Sequence, residues 1–333
     1  MTRGRGVGWW RAVGPLCGAL AVAGLWHTTR AGVRALQVDV SAAAAQGAAG
    51  FFSLVVPADT AGNYDGTRLL SSAALLEASE FWRLGFQVAR GATPLLPDPS
   101  HGAPPSVDAA EGVRAGAARA VGARPDGGLA VFVPLFDRDL WAVRGWVEVW
   151  DALPPGGAPV VGWLLTALVL VALVRTARLT TPSATSRGRR MAAAVPIAAM
   201  LGLAAASVIS LRSTAARATD LSLIRARRLA EVASVSRRLS VADLERLAPG
   251  MDIEGADSLD LGRSVRRLTV DGADESVVAG VMSGGRPFRV SIVPFESRLS
   301  GVWAALAGWV LLLVAGVGFS GWATGAVGER AHF

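Results

Sequence analysis

The sequence predicts an α-helical membrane protein with four transmembrane helices and two extracytoplasmic α+β domains. Three observations lead there. Four apolar runs, at 7–26, 158–174, 191–211 and 302–323, divide the 333-residue chain. The net surplus of arginine over acid falls in two short segments beside those runs. The two long segments between runs each close on apolar, alternating strands that lead toward the next run.

The charge pattern sets the orientation. All 33 basic residues are arginine and the formal net charge is +7, a balance that taken alone would suit a nucleic-acid binder. Their placement excludes that class. Arg3, Arg5 and Arg11 open the chain, and Arg175, Arg178, Arg187, Arg189 and Arg190 fill 175–190, with no acid in either segment. Segment 29–157 holds 10 Arg against 13 Asp and Glu, and segment 212–301 holds 14 against 12. A basic surplus confined to short segments is the positive-inside asymmetry. It places both termini and the 175–190 loop in the cytoplasm of a bacterial inner membrane, with both larger domains outside.

Each run is then judged by length. A spanning helix needs about 20 mostly apolar residues. The third, MAAAVPIAAMLGLAAASVISL, and the fourth, VWAALAGWVLLLVAGVGFSGWA, meet this without a charge. The second, APVVGWLLTALVLVALV, is shorter and ends at Arg175, whose long side chain can reach the interface. The first carries Arg11, Pro15 and several glycines; it reads either as a retained span or as a signal peptide cleaved near Ala21-Val22-Ala23. Both readings export residue 29 onward. Trp9, Trp10, Trp26, Trp163, Trp303 and Trp322 lie near run ends, where indoles suit the headgroup level.

Composition adds two constraints. With one Asn, one Tyr, five Ile and no Lys, the usage is that of a high-GC bacterial genome, so arginine here is no argument for phosphate chemistry. Cys17 is the single cysteine, so no disulfide can form within the chain, and each exported domain must rest on its own core.

In the first exported segment, helices are expected over 69–89 and 106–121, separated by a Pro-rich loop at 93–105. A hairpin of Leu129–Phe136 and Val143–Trp150 follows around Asp137-Arg138-Asp139. In the second, the third span continues outward as a helix whose Leu221, Ile224, Leu229, Val232, Val235 and Leu239 form an apolar stripe. Arg225 and Arg228 intrude on it, either snorkelling at its edge or making a helix–helix or ligand contact. Ser240 caps a short helix with Asp243 in its first turn, ended by Pro249-Gly250. A meander of Val265–Val270, 276–282 and 287–294 turns at Asp271-Gly272 and Ser283-Gly284-Gly285. The halves share a plan, and each has a glycine pair before an apolar strand containing Pro and Phe (127–137 and 284–296); chance recurrence of turn glycines explains this as well as a duplication does.

The runs VFVPLFDRDLWAVRGWVEVW (131–150) and ESVVAGVMSGGRPFRVSIVPFESRLSG (275–301), each in a helix–mixed–sheet–span order, carry a family resemblance. This plan resembles the Cache/PAS-like extracytoplasmic sensor domains of bacterial histidine kinases and chemoreceptors. The resemblance implies a small-molecule pocket on the sheet face and dimerisation along the first helix.

Catalytic chemistry is not expected. Without lysine there is no P-loop lysine and no Schiff base. His27, His101 and His332 lack partners at metal-ligand spacing, and no cofactor or metal site is expected. Gly316-Val-Gly318-Phe-Ser-Gly321 matches G-x-G-x-x-G but lies within an apolar run with no preceding strand, so it reads as packing. The G-x-x-x-G pairs Gly14/Gly18 and Gly321/Gly325 are read as helix contacts. Asp137 and Asp139 read as turn formers. Trp82, Arg83, Trp141, Arg144 and Trp146 are either the aromatic wall of a ligand pocket or one core face of a sheet. Arg175, Arg178, Arg187, Arg189 and Arg190 are expected on lipid headgroups.

The expected function is a membrane sensor with no output domain of its own. It would act as a homodimer or through a membrane partner, with a possible small-molecule ligand outside and no nucleic acid. The alternatives are a structural or assembly subunit of a larger membrane complex, or the detached input module of a separate histidine kinase.

Overall fold

The computed structural model describes residues 10–55, 86–90, 93–94, 119–123, 129–136, 143–150, 186–235, 240–248, 251–255, 265–270, 273–281 and 287–329. Two helices dominate. α1 runs Trp10–Val55, 46 residues, and α2 runs Ser186–Val235, 50 residues. At 1.5 Å per residue these are about 70 and 75 Å long. Both exceed the apolar thickness of a bilayer, about 30 Å. Alanine-rich stretches such as Ser41–Gly47 in α1 and Ala204–Ala206 in α2 favour helix wherever packing does not forbid it. α3 (Val241–Leu247) is short, and α4 (Ser300–Glu329) follows a 3-10 turn, Phe295–Leu299. Two helical stretches, Ile197–Ala230 and Phe295–Gly316, are long and apolar enough to cross a membrane.

Among the described residues, nine strands form two antiparallel sheets. β1 (Phe86–Arg90), β2 (Thr93–Pro94), β3 (Ala120–Ala123), β4 (Leu129–Phe136) and β5 (Val143–Trp150) take the order β2-β1-β5-β4-β3. β6 (Asp252–Gly255), β7 (Val265–Val270), β8 (Ala273–Val281) and β9 (Pro287–Ile292) take the order β6-β9-β8-β7. Apart from the two-residue β2, the orders coincide: the first strand pairs with the last, and the last three form a meander. The glycine-pair strands do not coincide, because β4 is the third strand of its meander plan and β9 the fourth.

The chain divides into two units, and it passes between them four times. The first unit contains Met1–Arg34, Pro155–Thr214 and Arg298–Phe333. The second contains Ala35–Pro154 and Ala215–Ser297, and with them both sheets. α1 and α2 each continue unbroken through a unit boundary.

In the first sheet, β4 is buried on both faces. Val131 and Val133 register with Val149 and Val147 on one face, all buried. Ala130 and Phe132 are buried on the other. In the second sheet, Phe288, Val290 and Ile292 alternate inward along β9, and Ile253 lies opposite Val290. Leu244 and Leu247 of α3 are buried as well. Arg289 forms an exposed ion pair with Glu254 directly across the ladder, an interaction worth little in solvent. Val270 pairs with Ala273, so only Asp271-Gly272 links β7 to β8.

Several expected elements require correction. A helix over 69–89 conflicts at its end with β1, where Phe86–Arg90 pairs with β5 from Phe86↔Val149 to Ala89↔Trp146. An apolar–polar alternation there finds a ladder, and that outweighs the helical preference of the leucines and alanines before it. A helix over 106–121 likewise gives way to β3 at Ala120–Ala123, which closes the edge beside β4. β2 falls at the start of the expected Pro-rich loop, and β6 was not anticipated. The remainder of both expected helices lies outside the described residues, as does the second run, 158–174.

Candidate functional site

The first unit is built on large-into-small packing between α1 and α4. Cys17 meets Gly316, where an added Cβ would lie 2.5 Å from the cysteine Cβ. Gly24 receives the indole of Trp309, whose ring occupies the space a Cβ would need. A Cβ on Gly32 would lie 2.9 Å from Leu211 Cδ2 of α2 and 3.3 Å from Val302 Cγ1 of α4. As the α1 number rises the α4 number falls, so the two helices are antiparallel. The Trp309 Nε1–H donates to Thr28 Oγ1 at 3.0 Å, which satisfies the indole where it is part-buried.

The glycines that carry these contacts are therefore Gly24, Gly32 and Gly316. Gly14 and Gly18 lie in α1, and Gly321 and Gly325 in α4; Gly18 is buried. The missed signal is a spacing of seven: Cys17 and Gly24 on one helix, Trp309 and Gly316 on the other. Each such pair keeps to one face, with small and large residues exchanged.

Among the described residues of this unit, large apolar side chains are exposed. Leu16, Leu20, Leu201, Ile209 and Leu311 are each more than half exposed, and Val314 nearly so. They are spread over all three helices. Exposed apolar surface of this extent marks contact with lipid or another protein. In the second unit Val121 and Val293 are isolated exposed residues of an ordinary kind.

The second unit holds a chain of polar links. Arg225 of α2 is buried and donates from Nη1 to the Val40 carbonyl of α1 at 3.3 Å. Of the two sequence alternatives for this arginine, the helix–helix contact is what forms. Arg119, just before β3, donates from Nη1 to Asp39 Oδ1 at 3.4 Å. The Phe295 N–H, beyond β9, donates to Thr219 Oγ1 at 3.3 Å, while that hydroxyl donates to the Ala215 carbonyl. Each sheet is thus joined to one of the two long helices, and those helices are joined to each other.

The expected pocket residues are only partly placed. Arg144 and Trp146 lie in β5, with Trp146 in register with Ala89 and Pro134. Position 146 takes the same sheet face as Phe132, which is fully buried there. Trp82, Arg83 and Trp141 lie outside the described residues. Arg187, Arg189 and Arg190 fall in the first turns of α2, and Arg175 and Arg178 lie outside the described residues. Among the described residues, no three His, Cys, Asp or Glu side chains converge as metal ligands.

No family model, curated protein or solved structure matches the chain.

Proposed function

We propose that this chain is a bacterial inner-membrane sensor with four spans and two extracytoplasmic Cache/PAS-like domains, which passes a change in those domains to a partner protein through α1 and α2. The carrying observation is the linkage in the second unit. Asp39 and Val40 of α1 and Thr219 and Arg225 of α2 take hydrogen bonds from, or give them to, sheet-flanking segments and one another. Both helices then continue into the unit with the exposed apolar side chains. A shift of either sheet is in this way a shift of a spanning helix.

The alternative, a structural or assembly subunit of a larger membrane complex, draws support from Phe132. It fills the sheet face on which an aromatic pocket would form. Affinity capture of the full chain from native membranes, followed by mass spectrometry, separates the two. Recovery of a kinase or another signalling protein is the expected result. A stoichiometric multi-subunit assembly without signalling proteins overturns the sensor reading and favours the subunit.

A further inference from the structure

Three helices of the first unit meet at one level, where Gly32 faces Leu211 and Val302. Within about one helical turn of that level lie four arginines: Arg30 and Arg34 on α1, Arg212 on α2, and Arg298 at the start of the α4 segment. All four are exposed. No acid occurs within four residues of Gly32 on α1 or of Leu211 on α2, nor at 298–306. Trp303 is next to Val302, and Trp26 lies nearly two turns from Gly32 toward Leu20; both are half-buried. To one side of this level lies the exposed apolar surface of Leu16, Leu20, Leu201, Ile209, Leu311 and Val314.

An arginine band beside exposed apolar side chains, with indoles at the border, has the layering of a bilayer boundary. We propose that Arg30, Arg34, Arg212 and Arg298 form a collar that binds the phosphates of anionic phospholipid headgroups at the level of Gly32, Leu211 and Val302 in the first unit. This rests on the membrane reading, but not on which leaflet the collar faces. Guanidinium suits the task because it stays charged and presents a planar fork of donors to phosphate oxygens. The collar is separate in sequence from the 175–190 segment: Arg212 follows Arg190 by 22 residues along α2.

The test uses the purified full chain in nanodiscs of phosphatidylglycerol and phosphatidylcholine with identical acyl chains, and reads the retained lipid by native mass spectrometry. The wild type is expected to enrich phosphatidylglycerol about tenfold or more, an enrichment that falls as salt rises. Inorganic phosphate at millimolar concentration should not displace it, since the lipid is also held by its chains; displacement would assign the site to a free anion and overturn the proposal. The fourfold Arg→Gln variant at 30, 34, 212 and 298 is expected to lose most of the enrichment, and the fourfold Arg→Lys variant to keep it. A Gln variant that retains wild-type enrichment, or a Lys variant that loses it, overturns the collar. Alkaline carbonate extraction of native membranes tells the two failures apart: a chain released as soluble protein defeats the membrane reading itself, while an integrated chain without lipid preference defeats the collar alone.

Discussion

Arg225 of α2 donates to the main-chain carbonyl of Val40 on α1 at 3.3 Å, and the arginine is buried. A buried charge held by a carbonyl fixes how two helices face each other more than it stabilises them. Arg225→Glu, which sets a carboxylate against that carbonyl, should cost about 3–5 kcal/mol, whereas Arg225→Met of similar volume should be near neutral. Thermal unfolding in nanodiscs measures both. Equal losses in the two variants would mean that the lost guanidinium and its hydrogen bond to Val40, not the introduced carboxylate, set the cost.

Gly24 and Trp309 make the second prediction. Gly24→Ala pushes a methyl into the indole and should cost about 1–3 kcal/mol, with loss of the Trp309–Thr28 hydrogen bond. Gly308→Ala serves as control, because nothing lies within 4 Å of its added Cβ. That change should be neutral or stabilise by about 0.5–1 kcal/mol through helix propensity. Unfolding temperature and tryptophan emission report both variants.

Phe132 is fully buried in a strand covered on both faces. Phe132→Ala should cost about 3–5 kcal/mol, while Val121→Ala at the exposed edge of the same sheet should stay within about 0.5 kcal/mol. Chemical denaturation of the full chain in detergent checks the contrast.

Ser240 and Asp243 form a reciprocal capping box: the Asp243 N–H donates to Ser240 Oγ at 3.2 Å, and the Ser240 N–H donates to Asp243 Oδ2 at 3.0 Å. Ser240→Ala should cost about 1 kcal/mol. Hydrogen exchange in α3 should rise with it, and unchanged protection at Leu244 would contradict the assignment.

Orientation can be read by labelling. In a Cys17→Ala background, Ser183→Cys should react with an impermeant thiol reagent only after lysis, and Asp260→Cys in intact cells. The reverse pattern would invert the topology on which the sensor reading stands.

Much of the fold could be read locally. The hairpin Leu129–Phe136 and Val143–Trp150 is legible in the sequence with these bounds, because a continuous apolar run and a Val-rich run flank the turn residues Asp137-Arg138-Asp139. β7, the Ser240 cap and the unbroken continuation of α2 past its apolar run are legible from local pattern as well. β8 begins three residues earlier than its apolar run, since Ala273, Asp274 and Glu275 are held by pairing with Val270, Thr269 and Leu268 rather than by hydrophobicity. The similarity between halves was sought in the glycine pairs, which sit in non-equivalent strands; it is carried by strand order, a property no short motif encodes.

By itself the sequence settled the periodic features: where apolar runs lie, where strands alternate, and where a hydroxyl followed by an acid starts a helix. Those depend on residues a few positions apart. Tertiary structure decided that Phe86–Arg90 is a strand, that Gly24 receives the Trp309 indole, and that Arg225 points at α1. Each of these depends on a partner between 57 and 285 residues away in the chain, as with Ala89 and Trp146 or Gly24 and Trp309, and no local pattern specifies which distant residue will be there.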